Sequence, residues 1–107
     1  MDFFNSVKSF FGIEEGPHFS KAEIARHHNR DSLWIVADGT VYDITQFIDQ
    51  HAGGVQSLLK RGGGVQDCAK DFGFHSNKAQ TLWKSFKIGY VAKDGGKTDD
   101  EGRNFLR

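Results

Sequence analysis

Two histidines, His51 in His51-Ala52-Gly53-Gly54 and His75 in Phe74-His75-Ser76, stand 24 residues apart. The segment between them is long enough for two short helices and a return turn. Imidazole nitrogens bind transition metals well. An iron at the centre of a flat macrocycle, with an axial histidine on each face, needs the two rings to approach from opposite sides. Two turns of one helix would put both on the same face, whereas this spacing lets the chain walk around the edge of such a ring. We therefore read His51 and His75 as two ligands to one iron. Gly53 and Gly54 fit that reading, because glycine takes positive φ and lets the main chain come close to a flat ligand. Taken singly, each histidine would more often be an ordinary loop residue. The joint pattern shifts the balance: two glycines after the first, a serine helix start after the second, and ten phenylalanines in the chain.

Composition narrows the remaining choices. A chain of 107 residues is one small domain. Lys+Arg and Asp+Glu are 14 each, so the net charge is zero and no global field argues for nucleic acid or an anionic membrane. Cys68 is the only cysteine, which excludes an internal disulfide. No Cys-x-x-Cys-His is present, so a haem here would be held non-covalently. Two histidines with one cysteine make a poor structural zinc site. No apolar run approaches the ~18 residues of a membrane span, and the Met1-Asp2-Phe3-Phe4 start lacks the basic region and apolar core of a signal peptide. The expectation is a soluble, cytoplasmic, monomeric protein with no transmembrane segment.

Residues 1–18 read as an N-terminal extension. Within it, Phe3, Phe4, Val7, Phe10 and Phe11 recur at the spacing of a short amphipathic helix over 2–11, and 14–18 form a connector. Residues 19–92 read as the domain proper. Ser20-Lys21-Ala22-Glu23 is a capping box with Phe19 placed to staple onto Ile24, which predicts a helix running to His27 or His28. One of those two histidines is expected to pack at the helix end and the other to be solvated. Leu33–Ala37 and Thr40–Ile44 are β-rich runs joined by Asp38-Gly39, a hairpin signal. Thr45 is expected to cap a short helix over 46–50 that delivers His51. Val55, Leu58 and Leu59 give a one-sided helix stopped by Gly62-Gly63-Gly64. Val65, Cys68, Ala69 and Phe72 recur at helical spacing, with Cys68 read as a buried small hydrophobe. Ser76 or Asn77 caps a last helix whose Ala79, Leu82, Trp83 and Phe86 form a core stripe. Lys87–Val91 reads as a closing strand, and 93–107 as a flexible tail.

These residues resemble the cytochrome b5 family over roughly Phe19 to Val91. Trp34, Val41-Tyr42-Asp43-Ile44-Thr45, Phe47-Ile48, His51-x-Gly53-Gly54, Leu58, Gly63-Gly64, His75-Ser76, Ala79, Leu82, Phe86 and Ile88-Gly89 carry the likeness. Two positions depart from the family pattern: Ala52 replaces its proline, and Val65 replaces an aspartate after the second glycine pair, so that Gly64 is left to cap the following helix. The resemblance implies an α+β fold with a small mixed sheet and a pocket walled by helix pairs. It also implies a b-type haem with two axial histidines and one-electron transfer. Ile44, Phe47, Leu58, Phe72, Phe74, Leu82 and Phe86 would then supply a dry pocket, with Gly53 at the ligand loop and Ser76 contacting a haem propionate.

The leading reading is a soluble electron carrier, not an enzyme, served by a separate flavin reductase and an acceptor protein. A haem-binding sensor or interaction module stands as the alternative, and a zinc-stabilised domain as a third. Charge between Asp49 and Lys78 is near neutral, which predicts little salt dependence in docking.

Overall fold

Asp38 and Gly39 both take positive φ, 51° and 77°. This is the two-residue turn whose twist matches that of the strands it joins. The computed structural model describes residues 16–51 and 53–93. Its strands are β1 (His18–Phe19), β2 (His28–Asn29), β3 (Ser32–Ala37), β4 (Thr40–Asp43) and β5 (Lys87–Val91). They form one five-stranded sheet in the order β1-β5-β4-β3-β2, with β1 parallel to β5 and the other neighbours antiparallel. The helices are α1 (Lys21–Ala25), α2 (Val55–Leu59), α3 (Ala69–Gly73) and α4 (Asn77–Lys84), with a 3-10 helix at Thr45–Gln50 before α2. The fold is α+β with a mixed sheet. Among the described residues, no helix is long and apolar enough to cross a membrane.

Side chains alternate across a strand, and in β3 both faces are apolar, so the sheet carries two cores. Leu33, Ile35 and Ala37 face one way and join Tyr42, Ile44, Ile48, Leu58 and Cys68. Trp34 faces the other way with Ile24 and Val41, and Phe19, Val36, Ile88 and Val91 pack around them. Leu33 is fully buried, and a Cβ on Gly62 would overlap its Cδ1, so the glycine turn lies directly against this strand. Removing the Leu33 side chain to Ala should cost about 2–5 kcal/mol.

The structure departs from expectation at several elements, each time because a hydrogen bond is better used elsewhere. Helix α1 ends at Ala25, short of His27, because His28 and Asn29 pair with Leu33 and Ser32 as β2. Ser20 does cap the helix, accepting from the Glu23 N–H at 3.0 Å. The Glu23 carboxylate, however, reaches forward to His27 Nε2 at 2.8 Å and to Arg26 at 2.9 Å. That bond to His27 holds the Glu23 carboxyl below its ordinary range. His27 is the histidine that packs, stacked on Trp34 with centroids 3.6 Å apart. His28 is exposed.

Thr45 is the first residue of the 3-10 helix and not its cap. Its hydroxyl donates to Asp43 Oδ1 at 2.6 Å and accepts from the Leu33 N–H at 2.8 Å. Val65 lies outside any helix and is 71% exposed. Helix α3 starts only at Ala69, whose N–H is taken by Asp67 Oδ1 at 2.9 Å, so Asp67 does the work expected of Gly64. His18, read as the end of a connector, and Phe19, read as a staple onto Ile24, form strand β1. The helix expected over 2–11, the tail after residue 93 and Ala52 lie outside the described residues.

Cys68 is fully buried, and burial pushes its thiol up to about 11. Its neutral form is favoured in the folded protein, so this contribution to stability is complete below the unfolded thiol value near 8.5. It is lost as pH rises toward about 11. Native protein at pH 8 should react with a thiol reagent at least tenfold more slowly than protein unfolded in guanidinium. Equal rates in the two states would show that Cys68 is accessible.

Candidate functional site

A cavity of about 500 Å³ opens on the Leu33–Ile35–Ala37 side of the sheet, a size suited to a prosthetic group. Ile35 and Ile44 come from the sheet side. One wall is Phe47, Gln50, His51, Ser57, Leu58, Lys60 and Arg61, contributed by the 3-10 helix and α2 with the residues that follow it. The other is Asp71, His75, Ala79, Leu82, Trp83 and Phe86, contributed by α3, α4 and the residues between and after them. One histidine thus comes from each wall.

His51 stands where the 3-10 helix gives way to extended backbone, at φ −76° and ψ 123°. The Gly54 N–H returns to the His51 carbonyl at 3.1 Å, closing a tight turn. His51 Nδ1 lies 3.2 Å from the Gly54 carbonyl oxygen. A Cβ on Gly53 would come within 2.8 Å of His51 Cε1, so Gly53 makes room for the imidazole itself. Phe47 meets the His51 ring edge-on, with centroids 5.9 Å apart.

His75 follows α3, and its Nδ1 lies 2.6 Å from the Asp71 carbonyl oxygen. The Gln80 amide fixes this bend by donating to the carbonyls of Phe72 and His75, each at 3.1 Å. Trp83 stands perpendicular to the His75 ring at 5.3 Å. A carbonyl only accepts, so in both histidines Nδ1 carries the hydrogen and donates it. In the neutral ring Nε2 then holds the lone pair. This is the arrangement that orients an imidazole as a metal ligand.

An ion pair braces the two walls. Arg61 Nε donates to Asp71 Oδ2 at 2.9 Å, and Arg61 Nη1 donates to the Ser57 carbonyl at 2.5 Å. The hydrogen bond to Asp71 raises the Arg61 pKa further, so the guanidinium stays charged. Asp71 therefore serves twice, with its carboxylate holding Arg61 and its carbonyl holding His75. Among the described residues, no three of His, Cys, Asp and Glu gather to hold a metal ion. A metal between His51 and His75 would need its remaining ligands from a cofactor.

Of the residues singled out from sequence, His51, His75, Ile44, Phe47, Leu58, Leu82 and Phe86 line the cavity. Four others do not. Gly53 acts behind His51, as described. Ser76 Oγ caps α4, accepting from the Ala79 N–H at 3.2 Å. Phe72 packs edge-on against Trp83 at 5.0 Å, and Phe74 is 86% exposed. Sequence reasoning missed Ile35, Gln50, Ser57, Lys60, Arg61 and Asp71, and it read Ala79 and Trp83 only as core. Ile35 was legible from its two-residue spacing to Leu33 and Ala37. The Arg61–Asp71 pair spans a glycine turn and leaves no periodic signal.

The family described as "Cytochrome b5-like Heme/Steroid binding domain" matches residues 20–92. NADH nitrate reductase 1 of Phaseolus vulgaris is 37% identical over 100 residues, covering 92% of this chain and 11% of that protein. The Petunia hybrida nitrate reductase is 38% identical over the same shares. The chain spans about a tenth of the length of these relatives. Among solved structures, the cytochrome b5 of Ostreococcus tauri virus 2 is similar with a TM-score of 0.59 and 27% identity, covering 69% of this chain and 83% of that one. Cytochrome b558 of Ectothiorhodospira vacuolata, a prokaryotic homologue of cytochrome b5, is similar with a TM-score of 0.62 and 28% identity, covering 72% and 100%.

The brace is half-buried, so replacing Asp71 by Asn should cost about 1 kcal/mol in urea unfolding, while the Asp71 carbonyl stays available to His75. An unchanged midpoint would show that the two walls do not depend on this pair.

Proposed function

The chain belongs to the cytochrome b5-like haem/steroid-binding domain family, and from that premise we propose that it holds one non-covalent haem b between His51 and His75 and carries single electrons between a separate flavin reductase and an acceptor protein. The observation that carries this reading is the pair of imidazoles on one cavity, each with Nδ1 committed to a backbone carbonyl and Nε2 left as a ligand. A steroid, the other ligand class in the family description, carries no metal for two such nitrogens to ligate.

Haem, when bound, would supply an iron that gains and loses one electron, and His51 and His75 would be the residues that hold it. The chain's own residues do the rest. The Gly54 and Asp71 carbonyls fix the two rings and raise their basicity as ligands. Ile35, Ile44, Phe47, Leu58 and Phe86 exclude water, and a drier site changes the cost of charge on the metal. Ser76 Oγ accepts from Ala79 and keeps its own O–H free to donate to a propionate. If both histidines held the group, no protein-free ligand position would be left for a substrate or diatomic gas, which favours a carrier over an enzyme or a gas sensor.

Purified protein loaded with haemin and reduced with dithionite should show sharp low-spin α and β bands that carbon monoxide leaves in place. His51→Ala or His75→Ala should each abolish that spectrum, by loss of haem or by conversion to a high-spin form that binds carbon monoxide. Retention of the full low-spin spectrum in either variant would remove that histidine from the ligand set. A carbon monoxide shift in the unmodified protein would favour the sensor.

A further inference from the structure

We propose that the rim of the cavity docks an acidic redox protein, an inference that rests on the haem reading above and adds the chemistry of the partner. Counted along the sequence, the charges around the site nearly cancel; the structure shows which of them are already committed. Between residues 49 and 84 the carboxylates are Asp49, Asp67 and Asp71. Asp49 pairs with Arg30, and Asp71 pairs with Arg61. Asp67 accepts from the N–H groups of Asp38 and Ala69, at the hairpin turn and the start of α3.

The bases are different. Lys60 lines the cavity, Lys70 precedes Asp71 in α3, and Lys78 lies in the first turn of α4. All three are exposed, and among the described residues none pairs with a carboxylate. Three free ammonium groups outnumber the two propionates that haem b brings. A protein with zero formal charge thus presents a positive field on the side where electrons would enter and leave.

The same side is apolar at its centre. The large hydrophobic residues exposed among those described are Val65, Phe74 and Leu82. Phe74 adjoins His75, and Leu82 lines the cavity. An apolar centre ringed by one sign of charge has the layout of a docking surface, and its complement is a protein with carboxylates around its own redox centre.

The field can be read with small oxidants of opposite charge. Haem-loaded, dithionite-reduced protein is mixed in stopped flow with ferricyanide, an anion, and with tris(phenanthroline)cobalt(III), a cation, across a salt series. Attraction is screened by salt and repulsion relieved by it. The ferricyanide rate constant should therefore fall, by roughly tenfold between low and high salt, while the cobalt rate constant rises. The double variant Lys70→Glu/Lys78→Glu should flatten or invert both trends while keeping the haem spectrum of the parent protein. A cobalt rate that falls with salt, two flat profiles, or a variant with the parental slopes would overturn the basic rim. A preparation that takes up no haem fails earlier, at the spectrum, and overturns the underlying reading instead.

Discussion

Both histidine-bearing segments are fastened to the strand Ser32–Ala37, and the site depends on that attachment. The first is tied at Leu33: its N–H is taken by Thr45 Oγ1 at 2.8 Å, and its carbonyl takes the Ile44 N–H at 2.9 Å. The 3-10 helix that ends at His51 starts from this point. The second is tied at Val36, whose carbonyl accepts the Cys68 N–H at 2.8 Å, with Asp67 bridging to the same residue. From Cys68, α3 needs five residues to reach the turn before His75. Two anchors three residues apart on one strand therefore fix where each wall of the cavity begins. Backbone bonds of this kind, buried between two apolar layers, are costly to break because their groups would be left unpaired.

The anchoring weakens with distance from the strand. Ile44, Ile48, Leu58 and Cys68 are buried, but α3 and α4 contain no buried residue. Beyond the anchor at Val36, their hold on the body is the Trp83 ring, which meets Tyr42, Phe72 and His75 edge-on, the Phe86 ring against Phe47, and the Arg61–Asp71 brace. Helices without a buried residue have fewer apolar contacts to lose on opening than the sheet has. A ligand that bridges both walls would supply the missing apolar contacts and stabilise the closed arrangement by mass action. Affinity for the ligand and rigidity of the second wall are then two aspects of one equilibrium.

Three of the five strands were legible in the sequence because their signals are local. The β-rich run 33–37, the Asp38-Gly39 turn and the closing run 87–91 each mark a strand without reference to the rest of the chain. Family resemblance supplied the sheet's mixed character, and both histidines stood out through their glycine and serine neighbours. Elements set by partners distant in sequence were not legible. Strand β1 exists because the Tyr90 N–H finds the Pro17 carbonyl at 2.9 Å, across the whole domain. Helix α1 stops early because β2 competes for the same residues. Thr45 reads as a helix cap until Leu33 and Asp43, both outside the helix, claim its hydroxyl. At the cavity, family resemblance supplied Ile44, Phe47, Leu58, Leu82 and Phe86, whereas the Arg61–Asp71 brace was missed because a pair ten residues apart across three glycines has no sequence pattern.

The identity of the groups behind the histidines constrains what the site can do. A carboxylate accepting from Nδ1 would draw the proton toward itself and lend the imidazole anionic character, which favours the oxidised metal. Here both acceptors are peptide carbonyls, of Gly54 and Asp71, which orient the ring without drawing its proton away. Among the described residues, the one carboxylate on the cavity lining is that of Asp71, and it accepts from Arg61 Nε at 2.9 Å. The ion pair therefore does more than tie two walls together: by occupying the one carboxylate on the cavity lining, it leaves His75 with a neutral partner. Were an iron held between His51 and His75 as proposed, its potential would be governed by the dryness of the cavity and the charges at its mouth rather than by proton transfer at these histidines.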